Sequence, residues 1–156
     1  MDTLTTLFSH SLWANLQLLD VCTQLSDEQL DSTLDGTYGA IRETWLHIAR
    51  AERSYFSRVS TGKRFEGGND APMSLAEIAE SLRLSGEGFI EWAPKVAADD
   101  TVEIDWDGVM RDVPKTILLT QTINHATEHR AQIMTILTQL GIQPPDLDAW
   151  TYFDLN

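Results

Sequence analysis

The sequence predicts an all-α chain: a four-helix bundle with one small β-hairpin between its third and fourth helices. Three observations carry this. Four segments of bundle length repeat apolar residues at helical spacing. Glycine stops or a capping residue bound three of them, at Gly62, Ser74 and Gly141. Between the third and fourth, Asp107-Gly108 separates two short runs that read as paired strands.

The first segment spans residues 4–25. Leu4, Leu7, Phe8, Ser11, Asn15, Leu18, Leu19, Cys22 and Leu25 form one stripe on it. Ser26-Asp27-Glu28-Gln29 looks like a stop and a capped restart, and residues 31–37 read as loop. The second helix spans residues 38–62, with Ile41, Trp45, Ile48, Ala49, Glu52, Tyr55 and Phe56 on its main face. A Gly-, Asn- and Pro-rich loop follows over 63–73. Ser74 and Glu77 then form the capping box of a third helix that runs to about Trp92, with Pro94 beyond its end. In the hairpin, Val102, Ile104 and Trp106 alternate with acids, and Val109 to Val113 return. Pro114 suits a first helical position, so the fourth helix is expected from there to Leu140. The tail, 142–156, is expected as irregular chain or a last turn.

The length, 156 residues, suits one domain over 1–156 with a single core. Hydrophobic residues at 42% and charged residues at 22% are those of a folded chain rather than a disordered one. No run of 18 apolar residues occurs, so no membrane-spanning segment is expected. The net charge of −13 repels phosphate backbones and anionic lipid, which argues against nucleic-acid and membrane partners. Asp2 and the lack of an early Lys or Arg make the N-terminus a poor secretory signal. The one cysteine, Cys22, lies on an apolar stripe and can form no internal disulfide, so a reducing cytoplasm fits best. No Gly-x-Ser-x-Gly elbow, Gly-x-Gly-x-x-Gly or Walker pattern is present.

The chemistry concentrates in INHATEHRAQIM, residues 123–134. On a helix, Leu118, His125, His129, Ile133, Ile136 and Leu140 share a face, with Gln132 at its margin. Two inward histidines need several polar partners in a place that supplies few. A metal ion satisfies both at once. His47, in TWLHIARAE, lies off the centre of its helix's apolar face, beside Ala40, Thr44 and Ala51. Periodicity leaves it open between a ligand reaching across a helix seam and a half-exposed histidine with no role. His10 falls well away from the first helix's stripe and reads as a surface or rim residue. Asn15 is a polar residue on that stripe and needs partners, either beside a metal or on a neighbouring helix.

His125 to His129 also matches H-x-x-E-H, in which a glutamate beside two zinc-binding histidines activates water for peptide hydrolysis. Glu128 would be that base. Nothing else in the chain suggests a peptide-binding sheet, so a zinc peptidase is the weaker alternative, and Glu128 otherwise reads as a carboxylate at the bundle edge.

Taken together, these segments resemble the DinB (DinB/YfiT-like) metalloenzyme family over nearly the whole chain. LFSHSLWANLQLLDVCTQLSDEQL resembles its opening helix, with Trp13, Ala14 and Asn15 as its Trp-Ala-Asn. TYGAIRETWLHIARAE resembles its second-helix element, with His47 as the histidine. INHATEHRAQIMTILTQLG resembles its last-helix signature, through His125, His129, Arg130 and Gln132. His10 stands where the family often has Tyr, which leaves the three candidate ligands intact.

The resemblance implies an up-down-down-up bundle, usually a homodimer, holding nickel or zinc through His47, His125 and His129. It also implies a small-molecule substrate. Characterised relatives include thiol-dependent transferases and isomerases that use bacillithiol or mycothiol, and the family is named for damage inducibility. The residues suit such chemistry, because three neutral histidines leave a divalent ion its full charge and an open position. A bound thiol could serve S-transfer and a bound water hydrolysis. Glu128 is the weak candidate for an acid or base, and Asn15 and Gln132 for supporting the ligands. The alternative of another class is a non-catalytic metal-binding bundle.

Overall fold

The computed structural model describes residues 2–67 and 71–156. Four long helices form the bundle: α1 (Thr3–Cys22), α3 (Ile41–Thr61), α4 (Leu75–Trp92) and α5 (Lys115–Gln139). Two short helices, α2 (Asp27–Leu30) and α6 (Ala149–Leu155), lie outside it. Strands β1 (Thr101–Trp106) and β2 (Val109–Pro114) pair antiparallel between α4 and α5.

The helix directions follow from the contacts. Phe8 stacks on Phe89, and Leu12 packs on Gly86, so α1 and α4 are antiparallel. Glu52 meets Ser85, and Phe56 meets Phe89, so α3 and α4 are parallel. Asn15 reaches Glu52 while Cys22 reaches Trp45, which sets α1 against α3. Lys115 reaches the Val59 carbonyl while His125 meets His47, which sets α5 against α3. The result is the up-down-down-up bundle. α3 and α4 approach closely at Gly88, where a Cβ would overlap the Phe56 ring.

Local chemistry fixes the ends. Ser26 Oγ accepts from Gln29 N–H, while Gln29 Oε1 accepts from Ser26 N–H, so the restart at α2 is a full capping box. Ser74 and Glu77 form the same device at α4. Gly62 ends α3 with φ +73°, a conformation that costs other residues energy. At the end of α5, Ile142 N–H donates to Leu137 O and Gly141 N–H to Thr138 O, the paired bonds of a Schellman motif. Asp107 and Gly108 both have positive φ, as a type I′ hairpin turn requires.

Four boundaries differ from the sequence expectation. The first helix ends at Cys22, not at Leu25. The second helix begins at Ile41, not at residue 38, and the preceding turn carries Tyr38 over the bundle surface. Pro114 ends β2 and caps α5 with extended backbone instead of entering the helix. The tail contains a true helix, α6, capped by Asp148 accepting from Thr151 N–H. Tyr152 of α6 packs on Trp13 and His10, so the tail covers part of α1. Within the 63–73 loop, residues 68–70 lie outside the described residues.

The core has two apolar lobes. One gathers Leu18, Leu19, Trp45, Ile48, Ile78, Leu82, Ile133 and Leu137. The other gathers Phe8, Val59, Phe89, Val102, Leu118 and Leu119. Each full burial of such a side chain contributes roughly 1.5–3 kcal/mol before entropy is counted. Between the lobes lies a buried polar layer of Ser11, Asn15, Glu52, Ser85, Thr122 and Arg130. Cys22 is buried and accepts a hydrogen bond from Trp45 Nε1, and burial pushes its thiol up to about 11, so it is inert.

Candidate metal centre

α3 and α5 meet along a seam. His47 enters this seam from α3, and His125 and His129 enter it from α5. Their ligand nitrogens all lie within 4.8 Å of one another. His47 Nε2 and His125 Nε2 are 2.8 Å apart. The His129 ring lies edge-on to both, with centroids at 4.8 Å from His47 and 4.5 Å from His125.

The histidines stand at the flank of the core, which corrects the expectation that they occupy the middle of an apolar stripe. The buried face of α5 is Leu118, Leu119, Thr122, Ala126, His129, Arg130, Ile133, Ile136 and Leu137, with Ala126, Ile133 and Leu137 at its centre. His129 is buried on its edge, while His125 and His47 are half-buried. A seam position leaves the group reachable from outside.

The tautomer of His129 is fixed by geometry. Gln132 Oε1 accepts from the backbone N–H of Tyr38 at 3.1 Å, so that atom is the amide oxygen. The same oxygen lies 2.9 Å from His129 Nδ1, which must therefore donate. Nε2 of His129 is left with its lone pair free. Orientation of a ligating imidazole through its other nitrogen is the usual support of a metal site. Tyr38 adds a stacked contact, its ring 4.1 Å from that of His47.

His47 and His125 are held neutral. Burial, followed by the charge of His129, pulls His47 below the usual imidazole range. Burial, then His129 and His47, pulls His125 down to about 4. Only neutral imidazole ligates.

The residues fit a divalent transition metal. Two facing Nε2 atoms without an ion must share one proton, so one ring carries Nε2–H. An ion would bond both lone pairs instead. Two nitrogens each about 2.0–2.1 Å from one zinc stand roughly 3 Å or slightly more apart, close to the spacing seen. Among the described residues no carboxylate or thiol joins the group.

The remaining candidates are placed elsewhere. Glu128 is exposed and makes no hydrogen bond or ion pair among the described residues. His10 is half-buried at the α1–α6 contact, its Nε2 2.8 Å from Leu147 O, outside the histidine group. Asn15 bonds no histidine. Its Nδ2 donates to Glu52 Oε1 at 2.8 Å, and its Oδ1 accepts from Arg130 Nη1 at 2.7 Å. Ser85 Oγ lies 3.3 Å from Glu52 Oε2, and Ser11 Oγ 3.3 Å from Arg130 Nη1. All four bundle helices are thereby tied at the level of the histidines. Burial pushes Glu52 up to about 7, opposed by Asn15, Arg130 and Ser85, and pulls Arg130 down to about 10, opposed by Glu52. Sequence reading placed Glu52 on an apolar face without asking for its partner. A carboxylate in that position signals a buried network.

A four-helix bundle with three convergent histidines at one seam defines a class of metal-binding helical proteins. The DinB family profile matches residues 1–156, and the chain belongs to the DinB family. It is similar to a DinB-like protein from Bacillus cereus of known crystal structure, with 28% identity, a TM-score of 0.63, and coverage of 88% of this chain and 91% of that one. No curated protein matches the chain.

Proposed function

We propose that the chain is a divalent-metal-dependent enzyme, with His47, His125 and His129 holding nickel or zinc, and that it transfers a group to or from a small thiol. The observation that carries this is the Tyr38–Gln132–His129 chain of hydrogen bonds, which aims a lone pair at the other two rings. A site built only for histidine packing has no need of that orientation. A divalent ion held by three neutral imidazoles keeps its charge and an open position, and acidifies a thiol or water placed there.

Thiol transfer is preferred to hydrolysis because the group includes no carboxylate and Glu128 faces solvent. A free thiol ionises near about 8.5 and needs little help from a base, whereas water needs far more. The same observation counts against a zinc peptidase. The reading also takes the protein as a cytoplasmic, damage-responsive homodimer. No helix among the described residues is long and apolar enough to cross a membrane. The exposed Trp150, Phe153 and Leu155 of α6 support an interface.

Cobalt substitution tests the reaction class. With mercaptoethanol, the cobalt-loaded protein should show a near-ultraviolet thiolate-to-metal band and thiol-dependent chloride release from chlorodinitrobenzene. Both should vanish in His129→Ala. Bound cobalt with neither signal would overturn the thiol-transfer reading.

A further inference from the structure

Along the same seam, towards the hairpin, lies a cavity of about 400 Å3 that the histidine group does not use. Tyr55 and Gln121 form its near end. Tyr55 is edge-on to His125 at 6.1 Å, and Gln121 is one helical turn before His125. Ile117, Leu118 and Trp106 form its walls, and Arg58 lies at its far end. Leu118 precedes His125 by seven residues, which is roughly 10 Å along the helix.

Two features of this cavity bear on what it can hold. Trp106 and Ile117 are 53% and 55% exposed, although they line a concavity in which an apolar body could cover them. Arg58 is its one charged lining residue. In a protein with 24 acidic and 11 basic residues, this half-buried guanidinium has no carboxylate partner among the described residues. Its hydrogen bonds go to Ser54, through Nη1 alone. Arg64, Glu103, Asp105 and Asp107 line the adjoining surface cavity that Arg58 also borders, and none of the three carboxylates forms an ion pair with it. A guanidinium left with an open edge favours a planar anion, which it binds in bidentate fashion.

We infer that this cavity is the substrate-body subsite: it takes an elongated small molecule with an apolar, aromatic-compatible body and a terminal carboxylate or similar anion bound by Arg58. The assignment as a substrate subsite rests on the enzyme reading above, because it places the molecule's other end beside His125. Binding in the cavity itself needs no metal. The charge matters for selection. The acidic surface repels anions at long range, so retention of an anion depends on a cation at the cavity itself, which Arg58 supplies.

The test uses phenylbutyrate, its neutral counterpart phenylbutanol, and butyrate, titrated by NMR into chelator-treated and zinc-loaded protein. Phenylbutyrate should shift the Trp106 indole, Gln121 and Arg58 side-chain signals in both forms, and bind at least tenfold more tightly than either fragment. Arg58→Gln should lose that tenfold advantage and leave phenylbutanol binding unchanged. Trp106→Ala should weaken phenylbutyrate and phenylbutanol alike. Equal binding of acid and alcohol, an unaffected Arg58→Gln variant, or shifts centred away from Trp106 would each overturn the subsite. Metal content, measured on the same samples, reports separately on the histidine centre. A subsite that binds in a protein unable to hold zinc would sink the enzyme reading alone, and a zinc site with no phenylbutyrate binding would sink the subsite alone.

Discussion

Nε2 of His47 and Nε2 of His125 stand 2.8 Å apart across the α3–α5 seam, close enough to share one proton whenever no ion holds both. One ring is therefore the Nε2–H tautomer until something replaces that proton. Addition of one equivalent of zinc should convert both rings to Nδ1–H tautomers. Long-range proton–nitrogen spectra of the imidazoles check this: the bridging Nε2–H signal should disappear and both Nε2 resonances should move together. A spectrum in which only Nδ1 signals respond would place the metal elsewhere.

Gln132 accepts from both Tyr38 N–H and His129 Nδ1–H and so sets the aim of the third ring. Gln132→Leu should fold normally and lower zinc affinity by about 10–100-fold, the usual effect of removing such a support. A competition titration with a chromophoric chelator measures it. Gln132→Glu retains an acceptor and should keep most of the affinity. Wild-type affinity in Gln132→Leu would remove the orienting role.

Asn15 bridges a buried cation and a buried carboxyl group, and among the described residues no other side chain joins Arg130 to Glu52. Asn15→Ala strands a donor on one side and an acceptor on the other. The loss should be about 3 kcal/mol in urea unfolding, since each unsatisfied buried group costs roughly 1–3 kcal/mol and charged ones more. Metal stoichiometry should stay unchanged, because Asn15 touches no histidine. Loss of metal from a folded Asn15→Ala protein would place Asn15 in the metal's own support.

The pH dependence of chelator-treated protein combines two opposed slopes. His125 is held at about 4, below its ordinary 6.5, so between those values the unfolded chain carries the extra proton. Its contribution rises with pH, is complete above about 6.5, and is lost as pH falls towards 4. Glu52 is raised from 4.5 to about 7, so in that window the folded chain carries the extra proton. Its contribution is full below 4.5 and is lost as pH rises through about 7. Glu52→Gln mimics the neutral acid and removes the falling limb. Its urea midpoint should climb more steeply than wild type between pH 4.5 and 6.5, where the two windows overlap. Parallel profiles would show that Glu52 does not titrate as described.

Much of the bundle is legible in short-range chemistry. Ser74 with Glu77, Gly62, Gly141 and Asp107-Gly108 act through neighbours a few residues away, so their patterns can be read directly. The seam position of the histidines cannot. Reading helical periodicity by hydrophobicity centred the inward face of α5 on His125 and His129, because Arg130 and Thr122 look like surface residues. In the fold Arg130 is buried and linked through Asn15 to Glu52, which come from other helices, while His125 stays half-buried. Helical patterning alone starts the second helix at Tyr38. Its place over His47 depends on a turn whose backbone is held by Gln132, nearly a hundred residues later. The cavity behind His125 likewise exists only because the hairpin folds back on α3 and α5.

The most direct measurement is elemental analysis of tag-free protein, wild type and His47→Ala side by side, after nickel or zinc is offered and excess removed. Near one equivalent of metal in wild type, with little in the variant, is the predicted result. No retained metal in wild type, or equal metal in His47→Ala, would contradict a centre built from His47, His125 and His129.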